Sequence, residues 1–382
     1  MKGKVAIIDP VGSKAGIDHY DTLLLKGISN AKREVYLYTN FDLESSEIKY
    51  RKEFYNIGVS KISAVLSNIF GFFRSLKDAK KNKVEWLILH VFRGGLFDLF
   101  TFLLGKILGF KICAIIHDAE SLDTLSFSFI RRLVIYKLPS KRVVHNEFCK
   151  NELIKTFGKK ISADTGIIPH VNFTALFNDK IIYDKTTIAN QLVAINPRLQ
   201  KLYESNTPLI LFFGQIKKAK GLSVLIQSLV KTNTKAILII AGKLRNESWE
   251  KYESEIQKLG LAERVIPIIR HITDIERDLL FEISECVVLP YTLIYQSGVL
   301  LMAMSYPTAV IASSLPPNRD LVQHEKNGLL FRSENSEDLA LQIDRIVNDN
   351  TLKIQLRNQA LIDVTERYNA DKIGQMYDVF ID

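Results

Sequence analysis

The chain has 382 residues, 47% of them hydrophobic, and a formal net charge of +9. It is long and apolar enough to bury two cores of ordinary domain size, so two domains are expected. Its three cysteines, Cys113, Cys149 and Cys286, lie far apart with no CxxC pair, which argues against a disulfide framework or structural zinc site and for a reducing cytoplasm.

The positive charge is one-sided. Residues 1–200 carry 30 Lys and Arg against 19 Asp and Glu, whereas residues 201–382 carry 21 against 23. The first half is therefore expected to face an anionic surface or ligand. No nucleic-acid-binding motif or dense basic and aromatic stripe accompanies the charge, so nucleic acid is not an expected partner.

In chain order, the opening MKGKVAIIDP holds too short an apolar run for a signal peptide and reads as a first strand, Val5–Asp9. Next comes DPVGSKAGIDHY, where Gly12 and Gly16 flank a loop that opens a helix near Ile17. Further apolar runs of strand length lie at Val35–Tyr38, Trp86–Phe92, Ile112–His117, Arg142–His145 and Ile167–Pro169. Between them, Ile62–Lys83 joins large apolar residues to a basic end. It reads either as a helix lying in a membrane interface or as one covering the sheet, with Lys77, Lys80, Lys81 and Lys83 as its solvated end. The most apolar stretch, Leu96–Phe110, is interrupted by Asp98 and Lys106 and falls short of the ~18 residues a membrane span needs.

A polar stretch from Asp179 to Thr207 separates the halves, giving expected domains of 1–185 and 186–365, with 366–382 as a final helix. In the second half the apolar runs are Leu209–Gly214, Ala236–Ala241, Val265–Ile269, Val287–Pro290, Ala309–Ala312 and Gly328–Phe331. Continuous apolar strands separated by helix-like segments indicate parallel sheets buried on both faces, hence two doubly wound α/β domains. In such domains ligands bind outside the carboxyl ends of the strands.

The most informative segment is Val287–Phe331. A strand is followed by a polar loop with Gly298 and then a helix-like run, Val299–Ser305. The first N–H groups of a helix lack internal partners and sit at the positive end of its dipole, so this order makes a place to hold an anion.

The wording of that segment resembles the donor-binding half of nucleotide-sugar glycosyltransferases with the GT-B fold, family 4 above all. Ala303 and Met304, the AVIAS of Ala309–Ser313 and the NGLLF of Asn327–Phe331 stand where that family has AM, a PVIAS-like strand and an NGLLF-like strand. LILFFGQIKKAKGL, from Leu209, is similar to the family's glycine, basic pair and KG entry into a helix. The resemblance implies two Rossmann-like domains facing each other across a cleft, the first binding acceptor and the second binding donor, with 366–382 crossing back onto the first. It implies transfer of a sugar from a nucleotide-diphosphate donor with retention of anomeric configuration and without a metal. No DxD is present, the nearest spacings being Asp118 with Glu120 and Asp274 with Glu276. No cofactor is expected beyond the donor substrate.

By the same resemblance, Lys220 and Lys217 meet the donor diphosphate, together with Gly16, Ser297, Gly298 and Val299. Tyr295, Gln296, Arg270, His271 and Ile272 are the expected contacts of the sugar and nucleoside. His117 matches the first-domain histidine that reaches a donor-sugar hydroxyl. For Asp118 three roles stay open: orienting that imidazole, accepting a hydrogen bond from sugar, or capping the next helix. His90 ends the preceding strand, and His145 and His170 lie in segments resembling structural or cleft-rim parts of the family.

The chain departs from the family at three positions. The residue after Gly214, commonly Arg, is Gln215, and the two family glutamates fall on Ile294 and Met302. A thioether cannot accept the paired ribose hydrogen bonds of a carboxylate. The departure opens a second reading, a noncatalytic GT-B subunit that binds a nucleotide sugar or a partner transferase. As an enzyme, the chain is expected to act on a glycan acceptor, lipid-diphosphate-linked, at the inner face of the plasma membrane, in O-antigen or other bacterial surface polysaccharide assembly.

Overall fold

The computed structural model of the chain describes residues 2–12, 16–55, 61–92, 94–117, 128–176, 184–306 and 308–382. It divides into two compact units, residues 1–171 with 368–382, and residues 172–367.

The first unit is built on seven parallel strands, β1 (Lys4–Ile8), β2 (Val35–Thr39), β3 (Ile48–Lys52), β4 (Val84–Val91), β5 (Lys111–Ile116), β6 (Lys141–Val144) and β7 (Thr165–Ile167), in the order 3-2-1-4-5-6-7. β1 and β2 are buried almost throughout because helices cover both faces of the sheet. β3 was not expected from sequence. It reads IKYRK, with three exposed residues out of five, since an edge strand needs little apolar side chain and is protected from further pairing by lysine. β7 lies two residues earlier than the expected Ile167–Pro169.

The second unit has six parallel strands, β8 (Leu209–Phe213), β9 (Ile237–Ala241), β10 (Val265–Ile268), β11 (Cys286–Leu289), β12 (Ala309–Ser313) and β13 (Leu329–Phe331), in the order 10-9-8-11-12-13. Each falls on an expected apolar run. Their side chains form one core with those of the helices Leu222–Lys231 and Ser336–Asn348, including Phe212, Leu225, Ile240, Val288, Ile311 and Ile343.

The expected boundary at 185 falls instead at Val171. The chain just beyond is hydrogen-bonded into the second unit, Asn172 Nδ2 donating to Val364 O at 2.7 Å and Phe173 N to Ser305 Oγ at 3.2 Å. The last helix, Ala370–Ile381, belongs to the first unit and lies on the helix Ile17–Asn30. Arg33, 3% exposed, donates to the carboxylates of Asp378 and Asp382.

The two helices approach through glycine. A Cβ on Gly27 would sit 1.8 Å from Ala370 O, and one on Gly374 would sit 2.0 Å from the Gly27 carbonyl carbon. No rotamer relieves a clash between backbones. Gly374→Ala is accordingly expected to destabilise the protein by about 1–3 kcal/mol, read as a lower denaturant midpoint for the first unit.

Candidate functional site

In each sheet the strand order reverses once, between β1 and β4 and between β8 and β11. At such a point the crossovers leave to opposite sides, and the loops at the carboxyl ends part to form a crevice.

In the second unit, the loops after β8 and β11 come together at this point. Gly214 ends β8, and its N–H donates to Ala241 O at 3.0 Å. The turn Lys218–Lys220 leads through Gly221, at φ 67°, into the helix Leu222–Lys231. A Cβ on Gly221 would lie 1.8 Å from Pro290 O, just past β11, so only glycine fits. Thr292 N also donates to Ala219 O at 3.0 Å.

This contact brings Lys220 Nζ to 3.6 Å from the centre of the Tyr291 ring, where the ring's negative face attracts the ammonium. Tyr291 is buried, and Ser297 Oγ donates to its hydroxyl at 3.3 Å while accepting from Leu300 N at 3.0 Å. Ser297 is thereby the cap of the helix Gly298–Ser305, whose positive end it shares with Gly298 and Val299. A Cβ on Gly214 would meet Val299 Cγ2 at 3.3 Å. Lys220, Ser297, Gly298 and Val299 are thus assembled in one place. Lys217 opens the lysine turn and is half-buried.

Arg245 was not anticipated. The chain after β9 runs beside the lysine loop, Ile216 N donating to Lys243 O and Arg245 N to Ile216 O, each at 2.9 Å. Arg245 Nη1 then donates to Gln215 Oε1 at 3.1 Å. A guanidinium stands beside the position that the resemblance reads as arginine. No local pattern could have revealed it, because the pairing joins separate strands.

Of the nucleoside candidates, Tyr295 is buried and Gln296 half-buried. Arg270 makes two bonds to Glu276, at 2.9 and 2.6 Å, and the guanidinium holds that carboxyl down at about 2. His271 is exposed and Ile272 half-buried. Ile294 and Met302 are both buried.

In the first unit, the carboxyl ends of the strands gather ionisable groups. Asp9 follows β1, His90 lies in β4, His117 follows β5, His145 follows β6 and His170 follows β7. Tyr20 of the helix Ile17–Asn30 stands among them, its ring centre 5.5 Å from that of His90, 6.3 Å from His117, 5.8 Å from His145 and 4.4 Å from His170. Its hydroxyl meets that of Tyr377 at 3.1 Å.

His117 is 4% exposed and stacks on Phe92 at 4.4 Å. Its Nε2 lies 2.7 Å from His90 Nδ1, and His90 Nε2 lies 2.7 Å from Asp21 Oδ1. Burial holds His117 well below the ordinary histidine value, and the neighbouring histidines add to the effect. Burial likewise lowers His90, and brings His145 to about 4 and His170 to about 3. Burial and the Asp21 carboxyl raise Asp9 to about 7. Asp118 lies outside the described residues, as do residues 13–15 of the first loop. Gly16, at φ 74°, opens the helix Ile17–Asn30. Among the described residues, no cluster of His, Cys, Asp and Glu could hold a metal ion.

Residues 198–361 match the family described as glycosyl transferases group 1. The chain is 26% identical over 185 residues to an uncharacterized glycosyltransferase, MJ1607, of Methanocaldococcus jannaschii, the match covering 47% of this chain and 46% of that protein. It thus spans about half the length of that relative. In fold it is similar to Anabaena Alr3699/HepE in complex with UDP-glucose, with a TM-score of 0.73, 17% identity and 99% of each chain covered. It is also similar to WaaG, a glycosyltransferase involved in lipopolysaccharide biosynthesis, with a TM-score of 0.67, 13% identity and 99% of each chain covered.

The buried histidines make stability depend on pH with a definite sign. Below the ordinary histidine value of 6.5, four histidines bind protons in the unfolded chain that they refuse in the fold. Stability is therefore lost as pH falls from 6.5 toward 4. Asp9 and Asp21, both raised, act oppositely, holding in the fold protons that the unfolded chain releases above about 4. The four depressed histidines outnumber the two raised carboxyls. The thermal midpoint is expected to decline from about pH 6.5 downward, before ordinary carboxylates titrate.

Proposed function

We propose that this chain, whose residues 198–361 match the glycosyl transferases group 1 family and whose two parallel sheets have the GT-B fold, moves a sugar from a nucleotide-diphosphate donor to a glycan acceptor. The observation that carries this reading is the assembly in the second unit of Lys220, Ser297 and the start of the helix Gly298–Ser305. A diphosphate gains charge as the sugar departs, and fixed cations and helix N–H groups stabilise it most at that moment.

Retention is the stereochemistry this proposal carries. The acceptor oxygen bonds to the anomeric carbon on the face from which the diphosphate oxygen leaves, and that oxygen takes the acceptor's proton. Such a step asks the protein for positioning and charge stabilisation more than for acid or base. Lys217 and Arg245 add positive charge beside Lys220. Tyr295 and Gln296 serve the sugar or nucleoside, and His117 meets a sugar hydroxyl. A uridine diphosphate donor is the first to test, since the similar HepE holds UDP-glucose.

The acceptor proposed is a lipid-diphosphate-linked glycan, with the protein peripheral on the inner face of the plasma membrane. On the helix Lys61–Lys81, Val65, Phe70 and Phe73 are exposed, although Phe72, Leu76 and Ala79 are buried. The same helix therefore covers the core and leaves an apolar outer face. The helix Leu96–Ile107 leaves Leu96, Leu103 and Ile107 exposed, and Phe73 meets Phe100 with ring centres 5.7 Å apart. Lys80 and Lys106 flank this surface. Apolar side chains beside lysines suit an anionic lipid interface. No helix among the described residues is long and apolar enough to cross a membrane.

The buried Ile294 and Met302 favour a second reading, a subunit that binds donor without turnover. Transfer to an acceptor distinguishes the two.

A panel of UDP, GDP and other nucleotide sugars is expected to raise the thermal midpoint with one donor by mass action. Lys220→Ala is expected to weaken that donor by about 1.5–3 kcal/mol, the range for a hydrogen bond to a charged group. No shift at millimolar concentration with any nucleotide or nucleotide sugar would remove the donor site. In a separate measurement, the protein should sediment with vesicles containing anionic phospholipid at low salt. Since burying an isoleucine is worth about 1.5–3 kcal/mol, Ile107→Ser should weaken that binding by about tenfold or more.

A further inference from the structure

In the second unit one side chain joins the lysine turn Lys218–Lys220 to the start of the helix Gly298–Ser305. Tyr291 lies just past β11 and is 1% exposed. Its ring face stands 3.6 Å from Lys220 Nζ. Its hydroxyl accepts from Ser297 Oγ at 3.3 Å, and Ser297 Oγ accepts from Leu300 N at 3.0 Å. Burial pushes that hydroxyl above the ordinary tyrosine value, so it stays neutral.

The backbone that carries the ring is held from two sides. Thr292 N donates to Ala219 O at 3.0 Å, and Ser333 Oγ donates to Tyr291 O at 3.2 Å. Pro290 O fills the space that a Cβ on Gly221 would need. The lysine turn and the chain after β13 thus fix the loop after β11, and the hydroxyl ties the ring to the helix start. Among the lysine–ring contacts of the described residues the next shortest is 5.1 Å, at Lys137, Lys141 and Lys251. Lys220 is the lysine seated most closely on a ring, and that ring is a buried and anchored one.

We infer that Tyr291 is a positioning residue, its ring face holding the Lys220 ammonium in place before an anion arrives. That the anion is the donor diphosphate rests on the function proposed above. A lysine stem is flexible and its ammonium strongly hydrated, so an unheld lysine loses conformational freedom when it binds. A lysine already drawn to the negative face of a fixed ring has given up much of that freedom. Phenylalanine supplies the same face, whereas an aliphatic side chain of similar size supplies none. The ring touches lysine and not the donor, so its effect on donor binding passes through Lys220.

The first test needs no ligand. In the intact chain labelled with 13C at the lysine ε carbon, the Lys220 methylene, identified by its loss in Lys220→Arg, is expected upfield of the other lysines, because protons above a ring face are shielded. Tyr291→Phe should keep that shift, and Tyr291→Leu should return the resonance to the other lysines. In titrations with UDP, Tyr291→Leu is expected to bind about tenfold more weakly than Tyr291→Phe, the scale of a desolvated cation–π contact. With Lys220→Ala added to both, the two should bind UDP alike. A tyrosine that only fills the core would lower the thermal midpoint in Tyr291→Leu without making the loss of UDP depend on Lys220. A wild-type Lys220 resonance among the ordinary lysines overturns the assignment. So does equal binding of UDP by the Leu and Phe variants, or a gap between them that persists without the lysine. Should Tyr291→Leu fail to fold, the wild-type and Tyr291→Phe shifts decide. An upfield Lys220 in a protein that binds no UDP would count against the donor reading and leave the hold of Tyr291 on Lys220 standing.

Discussion

Parallel strands can be joined only by crossovers, and a right-handed crossover commits its helix to one face of the sheet. Both sheets therefore have a single place where the strand order turns back, β1 beside β4 and β8 beside β11. The chemistry of each unit collects there. Asp9 and His90 stand at the first reversal, Gly214 and Tyr291 at the second.

The two reversals are used in opposite electrostatic ways. In the second unit the groups are backbone N–H, a half-buried lysine on an aromatic face and a guanidinium on an amide. These are permanent charges and dipoles gathered at the carboxyl end of the sheet. In the first unit the groups are buried and mutually disfavour charge. Desolvation depresses every histidine of the cluster and raises both aspartates. Hydrogen bonds tie part of the cluster together, from Asp21 to His90 and from His90 to His117, in surroundings where a bond between polar groups is worth more than in water.

Drift at Ile294, Met302 and Gln215 is easier to understand in this light. A site made by loop backbone and a helix start survives replacement of side chains that do not build the loop. Gly221 is different, because its missing Cβ is what lets the lysine turn touch Pro290. Arg245 reaches Gln215 from a neighbouring strand, so charge at that corner does not depend on one position in the sequence.

Among the described residues, twelve of the thirteen strands and their parallel pairing were legible in the sequence itself, because burial on both faces writes a continuous apolar run. The strand β3 was hidden, since an edge with three of five residues exposed carries no such run. The end of the first unit at Val171 was hidden too, being decided by bonds from Asn172 and Phe173 to residues far along the chain. The same holds for the pairing of Asp21 with His90 and of His90 with His117. Asp21 is unremarkable in its own segment, and nothing near His90 or His117 in sequence announces that the two rings meet. Only the register of β1, β4 and β5 and the helix laid against them bring the side chains within 2.7 Å, and a contact between distant segments leaves no local pattern to read.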